Sequence, residues 1–312
     1  VTSSARILVT GAAGFLGSHL CARLHADGCG ERLVALDAGA GDGAARLAAL
    51  APAATIVSGD VADAATVARC MAGVDVVFHL AAIADPRVCE HDPARAQAVN
   101  VEGTRTVVGA AAGTRIVFLS SAVTYLPAGR VARDETAPVG AAGVYAATKL
   151  AGERLCLDAM AAGRLEAVVV RNFNTYGGGQ ADVFLVPQLV RQALREGRVQ
   201  VASCAPVRDF TYVDDAVAAL IALGLGPVAG GIYNLGSGHG TAVGDVALAL
   251  GRLLDVPVSC AHAAVGGNPH LVAAPAKLRA ATGWAPAIDV EAGLARTIAW
   301  FRARAADASS PD

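Results

Sequence analysis

Val9-Thr10-Gly11-Ala12-Ala13-Gly14-Phe15-Leu16-Gly17 joins a short apolar run to a helical pattern, with glycines at 11, 14 and 17. A G-x-x-G-x-x-G spacing at a strand-to-helix turn suits a dinucleotide pyrophosphate. Glycine takes the tight turn and lets backbone N–H groups approach the phosphates, and the positive end of the helix dipole favours the anion. In a chain with 35 glycines the triplet alone says little. Its neighbourhood says more. Asp37 ends the next apolar run, 20 residues beyond Gly17, where a carboxylate accepts from both hydroxyls of an adenosine ribose. The next basic residue is Arg46, with no obvious reach to a 2′-phosphate, so NAD is expected rather than NADP. The alternative for Asp37 is a turn cap.

Outward from this loop, short β-branched runs alternate with alanine-rich helical stretches, the pattern of a parallel sheet covered on both faces. Strands are predicted over 6–9, 33–36, 55–57, 74–79, 115–119 and 167–170. The fold class is therefore α/β, a doubly wound parallel sheet of the Rossmann type with about six strands, and ligand is expected at their carboxyl edge. Beyond Arg171 the rhythm loosens, with helices predicted over 183–196, 214–223, 242–254 and 290–305. The expected division is a dinucleotide-binding domain over 1–172 and a smaller C-terminal α/β substrate-binding lobe over 173–312, with room for the chain to interleave. Asp60-Val61 follows the third strand, where Asp60 either receives an adenine amino group or caps the next helix. His79-Leu80-Ala81-Ala82 ends the fourth, and its small residues leave room for a cofactor. His79 itself reads as a core histidine with no chemistry.

Composition removes several function classes. Across 312 residues the net charge is −2, so nothing draws the chain to nucleic acid or anionic lipid. Apolar content of 54% and a mean hydropathy of +0.48 raise the question of a membrane span. The best uncharged run, 216–233, is broken by Gly224, Gly226, Pro227, Gly230 and Gly231, and reads as a buried helix, a turn and the start of a strand. Seven scattered cysteines show no C-x-x-C pair and no metal-ligand spacing, which fits buried thiols in a reducing compartment and no metal. No secretory signal is apparent, and a cytoplasmic location is expected.

Tyr145-Ala146-Ala147-Thr148-Lys149 places a phenol and an ammonium four residues apart, on one face of a helix. The chain has five tyrosines and two lysines, so an accidental pair at this spacing is rare. A phenol titrates near pH 10 and is a poor base at neutrality; a neighbouring cation is expected to lower that value. Such a tyrosine can take a proton from a sugar hydroxyl as hydride leaves. Ser120 and Ser121 end the fifth strand, where a hydroxyl can hydrogen-bond the reacting oxygen.

These residues resemble the extended short-chain dehydrogenase/reductases, specifically the NAD-dependent epimerase/dehydratase group that acts on nucleotide sugars. The similarity runs from the glycine loop to Gly283-Trp284 and Trp300-Phe301-Arg302. It includes 77–82, Asn100-Val101-Glu102-Gly103-Thr104, Ser120-Ser121-Ala122, Tyr145 with Lys149, 171–177, Arg208-Asp209-Phe210-Thr211-Tyr212-Val213-Asp214-Asp215 and 233–238. The resemblance implies catalysis by Ser121, Tyr145 and Lys149. It implies NAD held by Gly11, Gly14, Phe15, Leu16, Gly17, Asp37, Asp60, Val61, Leu80, Ala81, Ala82, Asn100, Tyr145 and Lys149. Asn174 and Arg208 would hold a nucleotide diphosphate, Val186-Pro187 would lie by the base, and Ser121 would meet the sugar. Arg87 resembles an arginine of members that handle uronate or N-acetyl sugars; it would meet a carboxylate or else stay at the surface. A homodimer is implied through the helices near 95–112 and 141–160.

Departures from the family pattern bear on substrate and reaction. The arginine expected as a second diphosphate clamp is missing from Ala263-Ala264-Val265-Gly266-Gly267, and the Gly-Asp-Gly turn ahead of Arg208 has become Ala202-Ser203-Cys204-Ala205-Pro206. The acidic residues that dehydratases and decarboxylases place after the catalytic serine or threonine are replaced by Ala122 and Val123. A 4-epimerase of the UDP-glucose or UDP-glucuronate type is expected. Its alternatives are a ketoreductase, dehydrogenase or dehydratase of the same group, or a non-catalytic NAD-binding sensor.

Overall fold

The computed structural model describes residues 4–39, 42–261, 263 and 268–307. Six strands lie within two residues of their predicted bounds: β1 (Ile7–Thr10), β2 (Leu33–Asp37), β3 (Thr55–Ser58), β4 (Val76–His79), β5 (Arg115–Ser121) and β6 (Glu166–Asn172). The second half of the chain adds β7 (Asn174–Tyr176), β8 (Val199–Val201), β9 (Val207–Tyr212), β10 (Gly231–Leu235), β11 (Gly240–Ala242), β12 (Val258–Cys260) and β13 (His270–Leu271). The main sheet has seven strands rather than the predicted six, in the order β10-β6-β5-β4-β1-β2-β3, all parallel. Its extra edge strand, β10, comes from beyond residue 173.

Side chains alternate across each strand, so a strand covered on both faces is apolar at every position. Ile7, Val9, Ala35, Phe78, Val117 and Val170 enter one core, and Leu8, Val34, Leu36, Val77, Ile116 and Val169 the other. The helix Val144–Ala161 supplies Cys156 and Ala159 to the second core. It packs closely on the sheet at Gly152, where a Cβ would come within 2.4 Å of the Phe118 ring. The helix Val213–Leu225 packs into the first core, so the uncharged run 216–233 is indeed a helix end, a turn and a strand start. No helix among the described residues is long and apolar enough to cross a membrane.

In the second half, β9 pairs with β11 (antiparallel), and with β13 and β7 (both parallel), while β8 and β12 form a separate ribbon. Strand order in the large sheet reverses at β1 and β4, and a crevice outside their carboxyl ends is where such a sheet receives ligand. The glycine loop follows β1, the 80–84 segment follows β4, and Ser121 ends β5.

Candidate active site

The glycine loop closes on the backbone after β4. Gly11 has φ +68°, and a Cβ there would sit 2.7 Å from the Ala81 nitrogen; a Cβ on Gly17 would fall 2.0 Å from the Gly11 carbonyl oxygen. Gly14 precedes the helix Phe15–Leu24 without a side-chain cap, so no side chain competes for the N–H groups of the first turn. Gly11, Gly14, Phe15, Leu16 and Gly17, with Leu80 and Ala82, line an open cleft of about 340 Å³. Asp37 accepts from the Ala13 N–H at 2.9 Å and the Gly39 N–H at 2.7 Å, one bond on each oxygen. A carboxylate oxygen can take two, so the turn-capping role leaves acceptor capacity for a ribose. Arg46, which looked remote in the sequence, reaches the loop after all, and its Nη2 donates to the Ala13 carbonyl at 2.7 Å.

Several residues expected at the cofactor make bonds or contacts within the protein. Asp60 accepts from the Ala62 N–H, and the helix cap that it might have been is Asp63, bonded to the Ala65 N–H and the Thr66 hydroxyl. Val61 is buried, and its side chain fills the space that a Cβ on Gly103 would need. Asn100 is 2% exposed; its amide bonds to both backbone groups of Ile83 and to the Thr148 hydroxyl, tying the loop after β4 to the helix of Tyr145. None of Asp60, Val61, Ala81 and Asn100 lines the cleft. His79 bonds Thr10 and Thr104 at 2.7 and 2.9 Å, and burial drives its pKa down to about 3, so it is a neutral core histidine.

Ser120 and Ser121 diverge as neighbours on a strand must. Ser120 points inward and donates to Glu153 at 2.5 Å. Ser121 lines the cleft and hydrogen-bonds the Tyr145 phenol. The Lys149 Nζ lies 5.8 Å from the Tyr145 ring centroid but spends a hydrogen bond on the Leu119 carbonyl at 2.9 Å. The expected lowering of the phenol pKa does not occur. Burial dominates and pushes Tyr145 up to about 12, tempered by the Ser121 bond, while burial also brings Lys149 down to about 8. At neutral pH Tyr145 is therefore an un-ionised phenol, while Lys149, though lowered, keeps most of its positive charge.

Two acidic residues that the sequence reading passed over fix this constellation. Glu153 forms a two-pronged ion pair with Arg171 at 3.0 and 2.8 Å, both side chains 4% exposed, and so joins β5, β6 and the Tyr145 helix. Glu90 accepts from the Val144 N–H at 2.6 Å and holds the first turn of that helix. Glu153 continues the Tyr145, Lys149 spacing by four more residues, a signal visible in the sequence; Glu90 lies 54 residues from Val144 and has none.

On the other wall, Asn174 and Val186 line the cleft with Phe173, Thr175, Gln180 and Phe210, while Pro187 is buried behind Val186. Arg208 does not reach the lining; its Nη1 bonds the Val207 carbonyl at 2.9 Å, and burial lowers its pKa. Arg87 is not brought to the cleft. It is 69% exposed and pairs with Asp85 two residues earlier. Among the described residues lining the cleft there is no Asp, Glu, Lys, Arg or His, and the only titratable side chains are Tyr145 and Tyr176. No group of three or more potential metal ligands occurs among the described residues.

The open first turn at Gly14, the close approach at Gly11 and the half-used Asp37 carboxylate fit a dinucleotide. The profile of the NAD dependent epimerase/dehydratase family matches residues 7–236. The UDP-glucose 4-epimerase of Azospirillum brasilense is 31% identical over 96% of this chain and 93% of its own. The dTDP-glucose 4,6-dehydratase of Streptomyces griseus is 31% identical over 95% of this chain and 93% of its own. Among solved structures, MoeE5 in complex with UDP-glucose and NAD superimposes with a TM-score of 0.85 at 29% identity, covering 96% of this chain and 99% of that one. The chain therefore belongs to the NAD dependent epimerase/dehydratase family of enzymes, and its cofactor is NAD.

Proposed function

We propose that this enzyme is a nucleotide-sugar 4-epimerase of the UDP-glucose or UDP-glucuronate type. One observation carries the choice within the family: among the described residues no carboxylate lines the cleft, and the positions after Ser121 are Ala122, 2% exposed, and Val123, which lines the cleft. Expelling water from the sugar needs an acid at the leaving hydroxyl, and neither side chain can donate a proton. Bound NAD supplies reversible hydride acceptance at carbon 4. The protein handles the proton. Tyr145 acts in its ionised form, favoured over the un-ionised phenol by the Lys149 charge and by the cationic nicotinamide of bound NAD; as phenolate it would take the proton from the 4-hydroxyl and return it after inversion, while Ser121 orients the phenol and the reacting oxygen. The glycine loop and Asp37 hold the dinucleotide.

In this reading residues 1–172, with β10 and the helix Val213–Leu225 added, form the cofactor half, and the remainder of 173–312 holds the sugar nucleotide through Asn174, Val186 and Arg208. The active form is a cytoplasmic homodimer, in keeping with seven free thiols. UDP-glucose and UDP-glucuronate deuterated at carbon 4 test the reaction by proton NMR. Label retained at carbon 4 of the inverted sugar is the expected result. Stoichiometric NADH, loss of water or carbon dioxide, or no change in either sugar nucleotide overturns it.

A further inference from the structure

Gln180 stands in the wall of the cleft with one end of its amide engaged and the other free. Its Nε2 donates to the Thr175 carbonyl at 2.9 Å. A carbonyl can only accept, so the amide cannot be turned the other way round, and Oε1 is the atom left over. That oxygen is buried and has no partner among the described residues. Of the buried, unpartnered side-chain nitrogens and oxygens among the described residues, it is the one that belongs to a residue lining the cleft. An amide oxygen shut away from water without a hydrogen bond is unfavourable, and a donor brought by a ligand removes that penalty.

The loop that carries Gln180 is held at the residue two before it. His19, on the helix that starts at Phe15, donates from Nε2 to the Gly178 carbonyl at 2.9 Å. Trp300 packs on the same glycine so closely that a Cβ there would come within 2.4 Å of its ring. Gly179 then takes φ +84° and turns the chain into Gln180. The free oxygen is thus fixed relative to the glycine loop, because His19 lies only two residues beyond Gly17.

We infer that Gln180 Oε1 accepts a hydrogen bond from the carboxamide NH₂ of the NAD nicotinamide. This deepens the reading above, on which it rests for Tyr145 and Ser121 marking the reacting end of the cofactor. The cleft runs from the glycine loop to Ser121 and Tyr145, and Asp37 is not in its lining, so it takes the nicotinamide end of the dinucleotide rather than the adenine end. Phosphates there offer no donor. Ribose hydroxyls can face a donor or an acceptor, whereas the carboxamide NH₂ can only donate, as the Gln180 oxygen can only accept. A sugar that shows both faces of carbon 4 to one hydride position exchanges its contacts between steps. A buried acceptor anchored to the cofactor helix suits the group that stays in place. With its carboxamide held, the nicotinamide ring is kept from turning over about its bond to the ribose, and the same ring face meets carbon 4 in both hydride steps.

The test is a competition between NAD and 3-acetylpyridine adenine dinucleotide, in which a methyl group replaces the carboxamide NH₂. The holoenzyme is equilibrated with equal concentrations of the two, and the bound cofactors are released and quantified by chromatography. The parent is expected to retain NAD over the analogue by at least about fivefold, since the analogue leaves a buried acceptor unpaired. Gln180→Met and Gln180→Leu remove that acceptor and are expected to lower the preference by the same factor, with calorimetric binding of UDP-glucose unchanged. Folded variants that keep the parent's preference overturn the assignment. A parent with no preference overturns it too, and that result needs no variant to fold. Weaker UDP-glucose binding with an unchanged cofactor ratio also overturns it, by giving the oxygen to the sugar. The carbon-4 label experiment separates this contact from the epimerase reading: retained label with an unchanged ratio removes the contact alone, and a changed ratio with label lost removes the epimerase alone.

Discussion

Glu153→Gln is the sharpest probe of what holds the reaction site together. Glu153 receives two bonds from Arg171 and one from Ser120, in a place where both charged side chains are 4% exposed. Glutamine keeps one acceptor oxygen and turns an NH₂ toward guanidinium N–H groups, donor against donor. Arg171 then retains the Glu135 carbonyl at 3.3 Å and the Tyr125 ring at 4.8 Å, neither of which carries a negative charge. Breaking one side of a buried pair costs about 3–5 kcal/mol. At about 2 °C per kcal/mol for a chain of this size, Tm falls by about 6–10 °C. Urea denaturation should show a lower midpoint with an unchanged slope. The double variant Glu153→Leu/Arg171→Met removes both charges and is expected within about 2 kcal/mol of the parent, because an apolar replacement also removes the desolvation cost. A single-variant loss below about 1 kcal/mol would refute the reasoning, since that is what a solvated surface pair is worth.

Tyr145→Phe removes only the phenolic oxygen; it should fold and bind NAD while turnover drops by more than tenfold, about 1.4 kcal/mol of barrier, and a variant retaining more than a tenth of the rate rules out its role. Burial brings Lys149 from 10.5 to about 8, so between those values the unfolded chain binds more protons and the parent gains stability as pH rises. Against Lys149→Met, the parent should gain up to about 1.4 kcal/mol per pH unit from pH 8 to 10 in urea titrations, and a difference independent of pH counts against the buried ammonium. Light scattering at micromolar concentration should give twice the chain mass, and a monomer would contradict pairing through the helices near 95–112 and 141–160.

The large sheet was readable because its inner strands are buried on both faces and appear as unbroken apolar runs. The start of β10 was legible after its glycine-broken turn, but its place in the large sheet was not, because Gly231–Leu235 pairs with β6 some 60 residues earlier, a distance that leaves no local mark. The site divides the same way. Glycine spacing and the Tyr145–Lys149 pair are local, but the direction of the phenol pKa is not. Spacing supplies the sign of the Coulomb interaction; burial, which wins here, depends on what packs over the helix. Arg87 looked like a ligand for an acid, and its partner was Asp85 in the same turn.

The helix Val144–Ala161 shows what a closer reading could have recovered. Tyr145, Lys149 and Glu153 recur at intervals of four and so share one face, and Lys149 and Glu153 are buried with Cys156 against the sheet. An amphipathic helix normally keeps charge on its solvent side. Here charge lies on the packed side, while Arg154 and Asp158 form an exposed pair on the outside. Two buried ionisable groups in a row require compensation from other elements, and each has it: Lys149 at the Leu119 carbonyl and Glu153 at Arg171 and Ser120. The face that is wrong for stability is therefore the one turned to β5 and the cleft. Its third member, Glu153, is a positioning residue that the motif alone does not include.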